Sequence, residues 1–407
     1  MKRIIVIGGG AAGLMAASAA ASAGASVLLI EGTSRLANKL RLTGGGHANL
    51  SHEGDLSAHL AHVPRNPAFA QPALAALDAA SLRAALAAWG LPTVADEQGR
   101  VFPATRNAHQ VAAVLRNRCL SQQVGFRLSS PVDQILVQQE AVTGVRVGSH
   151  QITAGAVILA TGGASYPETG SDGSGLRLAS SLGHKITPLQ PGLVGLHVIS
   201  EDTAPLRGLS LRSVPASIVQ QGRALGSRRG DLLFTQDGLS GPVVHNLSLL
   251  LEPAPCHAQL HLHLLALQGF DSEQARQVAA GAAQKAWHSL LLPNVPSRLQ
   301  RYVAERLGVS LGAPWRSLGA AMQARMLALT EALPFEVNVV APLERAMVTL
   351  GGVDVTQVDR NTMASLLVRG LYLAGEVLDV TGESGGYNLQ LAFSTGYLAG
   401  QSAVATL

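Results

Sequence analysis

The junction between Ile4-Ile5-Val6-Ile7 and Gly8-Gly9-Gly10-Ala11-Ala12-Gly13 constrains this chain more than any other segment. A short β-branched run stopped by glycine reads as a buried parallel strand. The glycines match G-x-G-x-x-G. Residues 11–23 are mostly alanine and predict a helix, with Gly24 as its C-cap. Val27-Leu28-Leu29-Ile30 predicts a second strand, which ends at Glu31. A lone glycine pattern is weak, but here it follows a strand, opens a helix and precedes a second strand ending in an acid. Gly8 permits the tight turn, Gly10 lets backbone approach a pyrophosphate, and Gly13 lets helix and strand pack closely. The free N–H groups from Ala11 and Ala12 onward can receive phosphate oxygens, assisted by the helix dipole. Glu31 lies 18 residues after Gly13, where a carboxylate can accept from both ribose hydroxyls of an adenosine. It would repel a 2′-phosphate, so FAD or NAD is expected there rather than NADP.

No charge appears from Ile4 to Ile30, after the basic start Lys2-Arg3. A run of that length could be a signal or a membrane span. Its internal glycines and its change of period argue for the strand–helix–strand unit instead. No other stretch reads as a span. Of the 407 residues, 47% are hydrophobic and 14% charged, which excludes a disordered, highly charged chain. Aromatics at 4% argue against a nucleic-acid stacking surface. Cys119 and Cys256 form no CxxC pair, so neither a disulfide framework nor structural zinc is indicated. A cytoplasmic setting is expected.

Further along, a helix is expected over residues 73–89, with Pro72 at its first position, and another over 109–120. Short strands at 132–137, 142–147 and 157–160 read as a meander returning to the main sheet. Residues 190–265 are strand-like and punctuated by Gly and Pro, a separate β-rich domain. Residues 271–331 have helical period, broken at Pro293-Asn294-Val295-Pro296. The chain then closes with a strand at Leu371 to Ala374 and a helix near 388–402.

Three more segments carry cofactor chemistry. The stretch from Lys39 to Asn49 holds two cations, Lys39 and Arg41, and Gly44-Gly45-Gly46. It is expected to be a loop close to a diphosphate-linked cofactor. Ala160-Thr161-Gly162-Gly163 supplies a third backbone crossing. Ala374-Gly375-Glu376 delivers an acid at a strand's carboxyl end, suited to ribityl hydroxyls, and Thr381 to Asn388 leads into a helix of small residues. A second complete G-x-G-x-x-G is absent, since Gly173-Ser174-Gly175 lacks the third glycine. One dinucleotide fold is therefore expected, not the paired FAD and NAD domains of disulfide reductases.

Together these pieces resemble the bacterial FAD-binding oxidoreductases grouped as the aminoacetone oxidase or BaiN-like family. The resemblance rests on GGGAAGLMAA at 8–17, GRVFP at 99–103, ILATGGASYPETGSDGSG at 158–175 and LLFTQDGLSGP at 232–242. Its most specific stretch runs over 349–400. It implies an α/β chain with a discontinuous Rossmann-like FAD-binding domain (1–190 and 345–407). A β-rich middle domain (191–270 and 332–344) and a helical insertion (271–331) complete it. The implied cofactor is FAD, held non-covalently, with NAD(P)H as a transient electron donor. Implied cofactor residues are Gly8, Gly10, Ala11, Ala12, Gly13 and Glu31 from the first unit. Lys39, Leu40, Thr43, Gly44, Gly45 and Asn49 follow from the next segment. Val132, Ala160, Thr161 and Gly162 come from the middle of this domain. Gly375, Glu376, Gly386, Tyr387, Asn388 and Leu389 come from its second half. The family usually reads Gly-Gly-Gly-Arg-Cys-Asn where this chain reads Gly44-Gly45-Gly46-His47-Ala48-Asn49, so no role of that arginine or cysteine carries over.

The expected function is an FAD-dependent oxidoreductase that oxidises a small amine or reduces an enone-like substrate by hydride transfer at flavin N5. The alternatives are a flavin-dependent RNA-modifying enzyme and a non-catalytic FAD- or NAD-binding sensor. Candidate groups near the chemistry are His47, Tyr166 and Tyr387. Arg207, Arg212, Arg223, Arg228 and Arg229 form an acid-free run, read as a solvated face rather than a nucleic-acid surface. His257, His261 and His263 include an H-x-H pair, but no metal site is expected.

Overall fold

The computed structural model describes residues 3–199, 203–236, 238–252 and 258–405. It divides into two compact units, Met1–Gly192 with Pro342–Leu407, and Leu193–Ala341.

The first unit is built on a five-stranded parallel sheet. β1 (Arg3–Ile7) lies at its centre, between β2 (Ser26–Ile30) and the strand Ala156–Leu159. Leu371–Leu373 and Gly125–Arg127 form the edges. Ile4, Ile5 and Val6 are fully buried, because helices cover both faces of such a sheet. That is why the run is continuously apolar rather than alternating. Helix α1 (Ala11–Ser22) is alanine-rich for a packing reason. It crosses the long helix Tyr387–Ala405 at backbone distance: a Cβ at Gly396 would lie 2.3 Å from the Ala12 carbonyl oxygen, and one at Gly400 2.4 Å from that of Ala16. Larger side chains on either helix would force the pair apart.

The expected meander is a separate antiparallel sheet of Gln134–Gln138, Ala141–Val147 and His150–Thr153, after which the chain re-enters the main sheet. The single helix expected over 73–89 is instead two, Pro67–Ala76 and Ala79–Ala88. Asp78 breaks it by capping the second, its carboxylate accepting from Ser81 N at 2.7 Å. Pro72 sits inside the first helix, not at its start. Proline lacks the N–H that would bond the carbonyl four residues back. The Ala68 carbonyl instead accepts from Arg360 at 3.5 Å.

The second unit is a closed antiparallel barrel. Its order is Leu196–Val198, Gly238–Ser240, Arg223–Phe234, Ser210–Gln220, Ala258–Leu262 and Leu333–Asn338, which pairs back to Leu196–Val198. Ile218, Phe234, Leu260 and Phe335 fill it and are fully buried. The helices Ser272–Gly281, Ser297–Leu307 and Ala320–Glu331 lie in sequence between two strands that are barrel neighbours. The first opens with a capping box of Asp271 and Gln274.

Several weaker sequence signals have local partners here. His263 bonds Ser217 Oγ and the Glu331 carbonyl, and His261 faces Gln259. His257 lies outside the described residues. Arg223 faces Glu252 at 3.6 Å, while Arg207 and Arg229 donate to backbone carbonyls. Among the described residues no group of three or more His, Cys, Asp or Glu side chains could hold a metal, and no helix is long and apolar enough to cross a membrane.

His245 in this unit has its pKa lowered from 6.5 to about 4 by burial. The unfolded chain therefore takes up a proton that the folded barrel refuses. Above pH 6.5 the residue contributes nothing to pH dependence. As pH falls from 6.5 towards 4, stability is lost, by up to about 3 kcal/mol at 1.36 kcal/mol per pKa unit. The variant His245→Gln should flatten that loss. Urea unfolding at a series of pH values checks it, and an unchanged acid limb would assign the loss to other groups.

Candidate functional site

Four parallel strands end at the same edge of the sheet, and their carboxyl ends wall one cleft. β1 leads into Gly8-Gly9-Gly10 and β2 into Glu31. Ala156–Leu159 leads into Ala160-Thr161-Gly162, and Leu371–Leu373 into Ala374-Gly375-Glu376. All but Ala374 of these line it. The cleft runs along all four strand ends, from Glu31 past the glycine turn to Glu376, the extended outline that a dinucleotide needs.

The glycine turn has the expected division of labour. Gly8 has φ +102°, and a Cβ there would lie 2.5 Å from the Ala160 carbonyl oxygen. A Cβ at Gly13 would lie 1.9 Å from the Gly8 carbonyl oxygen, which is the close packing of α1 on the turn. At Gly10 a Cβ would meet nothing within 4 Å, although Gly10, Ala11 and Ala12 all line the cleft. Gly10 caps α1 without a side-chain hydrogen bond, and no acid stands in the first turn. The leading N–H groups of α1 therefore face open space with no competing anion, as a diphosphate requires. Two further lining residues, Thr161 and Ser171, carry buried hydroxyls without a partner. These observations fit FAD in the cleft.

Glu31 is held on the turn. One carboxylate oxygen accepts from Gly9 N at 2.7 Å, and the other from Thr33 N and Thr33 Oγ1 at 2.8 Å. This fixes its direction and leaves one acceptor site, on the oxygen bonded to Gly9 N, for a ribose hydroxyl. Replacing it with alanine removes charge-assisted bonds worth about 1.5–3 kcal/mol. Glu31→Ala is thus expected to raise the FAD dissociation constant by one to two orders of magnitude, as measured by flavin fluorescence titration. An unchanged constant would move the adenosine elsewhere.

The segment after residue 38 is more regular than the loop expected. Lys39 and Arg41 lie on a helical turn, α2 (Asn38–Leu42), followed by a tight turn at Thr43–Gly46. Both cations have partners within the protein. Lys39 Nζ lies 2.7 Å from Glu376 Oε2 and 2.7 Å from Ser165 Oγ, and Arg41 donates to the Leu36 carbonyl. A carboxylate in a cleft wall attracts a nearby cation more strongly than an open surface does. Leu40 and Thr43 remain in the lining. Glu376 lines the cleft as expected, its second oxygen accepting from Thr349 N at 2.7 Å.

Asn388 and Leu389 also line the cleft. The Asn388 amide is engaged locally, exchanging bonds with Gly382 N and O at 2.9 and 2.7 Å. It therefore shapes the 382–388 loop. Nine residues assigned from sequence fall outside the lining, Gly13 among them because it packs α1 onto the turn. Gly44 and Gly45 are exposed at φ +58° and +63°. Gly386 packs against Ser51, whose carbonyl a Cβ would meet at 2.2 Å. Asn49 is half-buried beside it, with an unpartnered amide oxygen. Val132 packs on the hydrophobic core. The three residues proposed for chemistry are likewise not in the wall. His47 is exposed and meets the Arg106 carbonyl at 3.0 Å. Tyr166 has φ +56° and donates its backbone N–H to Glu344. Tyr387 is 5% exposed and stacks on His62 and His52 at 4.5 and 5.1 Å, with burial pushing its phenol pKa upward.

Other lining residues lay beyond sequence reasoning. Asn38, Thr169, Gly170, Val348, Val380 and Thr395 are among them. Thr169 and Gly170 lie inside the family-like stretch at 158–175, where a signal existed. Thr395 offers none, being one small residue in a small-residue helix, yet its hydroxyl accepts from Gly375 N at 2.9 Å.

Comparison with known proteins agrees with this architecture. The HI0933-like protein Rossmann domain family matches residues 2–402. The chain is 30% identical over 405 residues to the ribosomal RNA dihydrouridine synthase of Escherichia coli, covering 98% of each chain. It is 30% identical over 384 residues to the 3-dehydro-bile acid delta(4,6)-reductase of Clostridium scindens, covering 93% of each. The 3-ketosteroid delta1-dehydrogenase of Sterolibacterium denitrificans superposes with a TM-score of 0.56 over the whole of both chains, a likeness of fold at 14% identity. With a glycine turn, a cleft and a family match that agree from one end of this sheet to the other, the chain belongs to the HI0933-like protein Rossmann family and is an FAD-dependent oxidoreductase.

Proposed function

We propose that this enzyme reduces a carbon–carbon double bond conjugated to a carbonyl, with NAD(P)H as a transient electron donor. The observation that carries the reading is the agreement of two whole-chain relatives with different substrates. A dihydrouridine synthase and a delta(4,6)-reductase of a 3-dehydro-bile acid are both named for adding hydrogen across a carbon–carbon double bond. That common chemistry favours reduction over amine oxidation. It also keeps RNA as a second substrate reading, since the relative from Haemophilus influenzae, 30% identical over 397 residues, bears the same ribosomal RNA name.

When bound, FAD would supply the two-electron hydride chemistry of such a reduction, with the nicotinamide as the source of electrons and solvent as the source of the balancing proton. The chain's own residues position it. The N-terminus of α1 binds the diphosphate, and Glu31 accepts from the adenosine ribose. Glu376 would accept from the ribityl chain, and the small residues Gly8 and Ala160 leave the backbone of the turn open to the ligand. Glu31 disfavours a bound 2′-phosphate, so a phosphorylated nicotinamide would use another surface.

The test is anaerobic. FAD-loaded enzyme is reduced with NADH or NADPH and mixed with a cyclic enone, a ribosomal RNA transcript or a primary amine. Reoxidation by the enone or the RNA, with saturated product by mass, supports the reading and chooses between its two substrate classes. Reduction of the oxidised enzyme by the amine, with no response to either alkene, overturns it.

A further inference from the structure

We infer that Lys39 is a positioning residue for the flavin half of FAD, acting through Glu376. The inference rests on the cofactor assignment above. With adenosine at Glu31 and the diphosphate at Gly10 to Ala12, the wall carrying Lys39, Thr43, Glu376 and Leu389 is left for the ribityl chain and flavin.

The geometry there is a closed charge network. Glu376 Oε1 accepts from Thr349 N at 2.7 Å, and Oε2 from Lys39 Nζ at 2.7 Å. Lys39 Nζ also donates to Ser165 Oγ at 2.7 Å, and Ser165 is fully buried. Ala164 N donates to Thr349 Oγ1 at 2.8 Å. Four separate pieces of chain thus meet at one carboxylate: α2, the 160–166 loop, the strand Val348–Leu350 and the turn Gly375–Val377. Lys39 and Glu376 are 24% and 23% exposed, and both border the cleft.

Two consequences follow. First, each Glu376 oxygen has one donor already and keeps a lone pair for a hydroxyl. The carboxylate cannot turn away without breaking its bonds to Thr349 and Lys39. Filling the cleft removes water from Glu376, and an uncompensated carboxylate would then be costly. Lys39 supplies the compensation before FAD arrives. Second, Lys39 puts a fixed positive charge beside the flavin half, and Glu376 an opposing one. A cation there favours the more negative reduced flavin, and an anion disfavours it.

The experiment titrates apo-protein with FAD and measures the midpoint potential of each loaded form. The variants are Lys39→Met, Lys39→Arg, Glu376→Gln and the Lys39→Met/Glu376→Gln pair. Wild type is measured first, and failure to take up FAD there overturns the cofactor assignment itself. With wild type loaded, Lys39→Met should lose affinity by about 10- to 100-fold, as expected for one bond to a charged group. Lys39→Arg should recover most of it. The double variant should bind better than Lys39→Met, because no lone charge is left. The potential should fall in Lys39→Met and rise in Glu376→Gln. A purely structural role would not move the two in opposite directions. Unchanged affinity in Lys39→Met, or potentials that stay put or shift together, overturns the inference. Should Lys39→Met fail to fold, Glu376→Gln and Lys39→Arg decide it: a raised potential in the first with near-normal affinity in the second supports it, and any other result overturns it.

Discussion

Purified Gly10→Val protein is expected to emerge folded and colourless. Gly10 has φ −78° and ψ −170°, an extended conformation that a β-branched residue adopts readily. Its added Cβ meets no protein atom within 4 Å. The fold therefore accepts the side chain, and the whole effect falls on the ligand. The valine methyls occupy the space in front of the α1 N-terminus, where a diphosphate must come within hydrogen-bonding distance of backbone. Losing two bonds to a charged group, at about 1.5–3 kcal/mol each, lowers affinity by a factor of roughly 100 or more. Apo forms of variant and wild type should melt together, while added FAD should raise the melting temperature of wild type alone. Full flavin occupancy in Gly10→Val would remove the diphosphate from this turn.

Three residues on, a far smaller change should act on the fold. In Gly13→Ala the new Cβ would lie 1.9 Å from the Gly8 carbonyl oxygen and 3.0 Å from its carbon. Both belong to backbone at the end of the central strand, which cannot move as a side chain can. Helix α1 must lift off the sheet, away from Val6, and from the long helix packed against it at Gly396 and Gly400. Overpacking of a tight core costs about 1–3 kcal/mol even where side chains can yield, and here the cost should reach about 3 kcal/mol or more. For a unit of this size that corresponds to a fall of roughly 6–12 °C in melting temperature. Scanning calorimetry of the two apo-proteins measures it without cofactor effects. Coincident melts would mean that helix and turn are looser than this packing implies. Within one six-residue motif, then, valine should be tolerated by the fold at position 10 and alanine should not at position 13.

Much of this was legible because it is local. Strand, turn, helix and strand follow one another within 31 residues, and each is set by its own composition and period. The chemistry of the turn depends on backbone that side chains would block, so glycine itself is the signal. The Ala160-Thr161-Gly162 and Gly375-Glu376 segments were legible for a related reason: a parallel strand ending in small residues or an acid announces a ligand edge. Reasoning from residue type alone was weaker. Lys39 and Arg41 looked like cations awaiting a phosphate, and Tyr387, Tyr166 and His47 looked like groups awaiting a substrate. The side chains of Lys39, Arg41, His47 and Tyr387 have protein partners, mostly distant in sequence, and Tyr166 is tied through its backbone N–H to Glu344.

The amino-acid order by itself determined the first β–α–β unit, the glycine positions that keep the α1 N-terminus open, the acid at the end of β2 and the apolar burial of the central strands. Those properties follow from steric freedom, periodicity and charge over a few neighbouring residues. Only the tertiary structure decided that Lys39 would neutralise Glu376 across 337 residues, that His52 and His62 would enclose Tyr387, and that Leu333–Asn338 would close a barrel on Leu196–Val198. A charge finds its partner, and a barrel its last strand, through the packing of whole elements. The energy that selects those pairings comes from burial and desolvation, which exist only once the elements have come together.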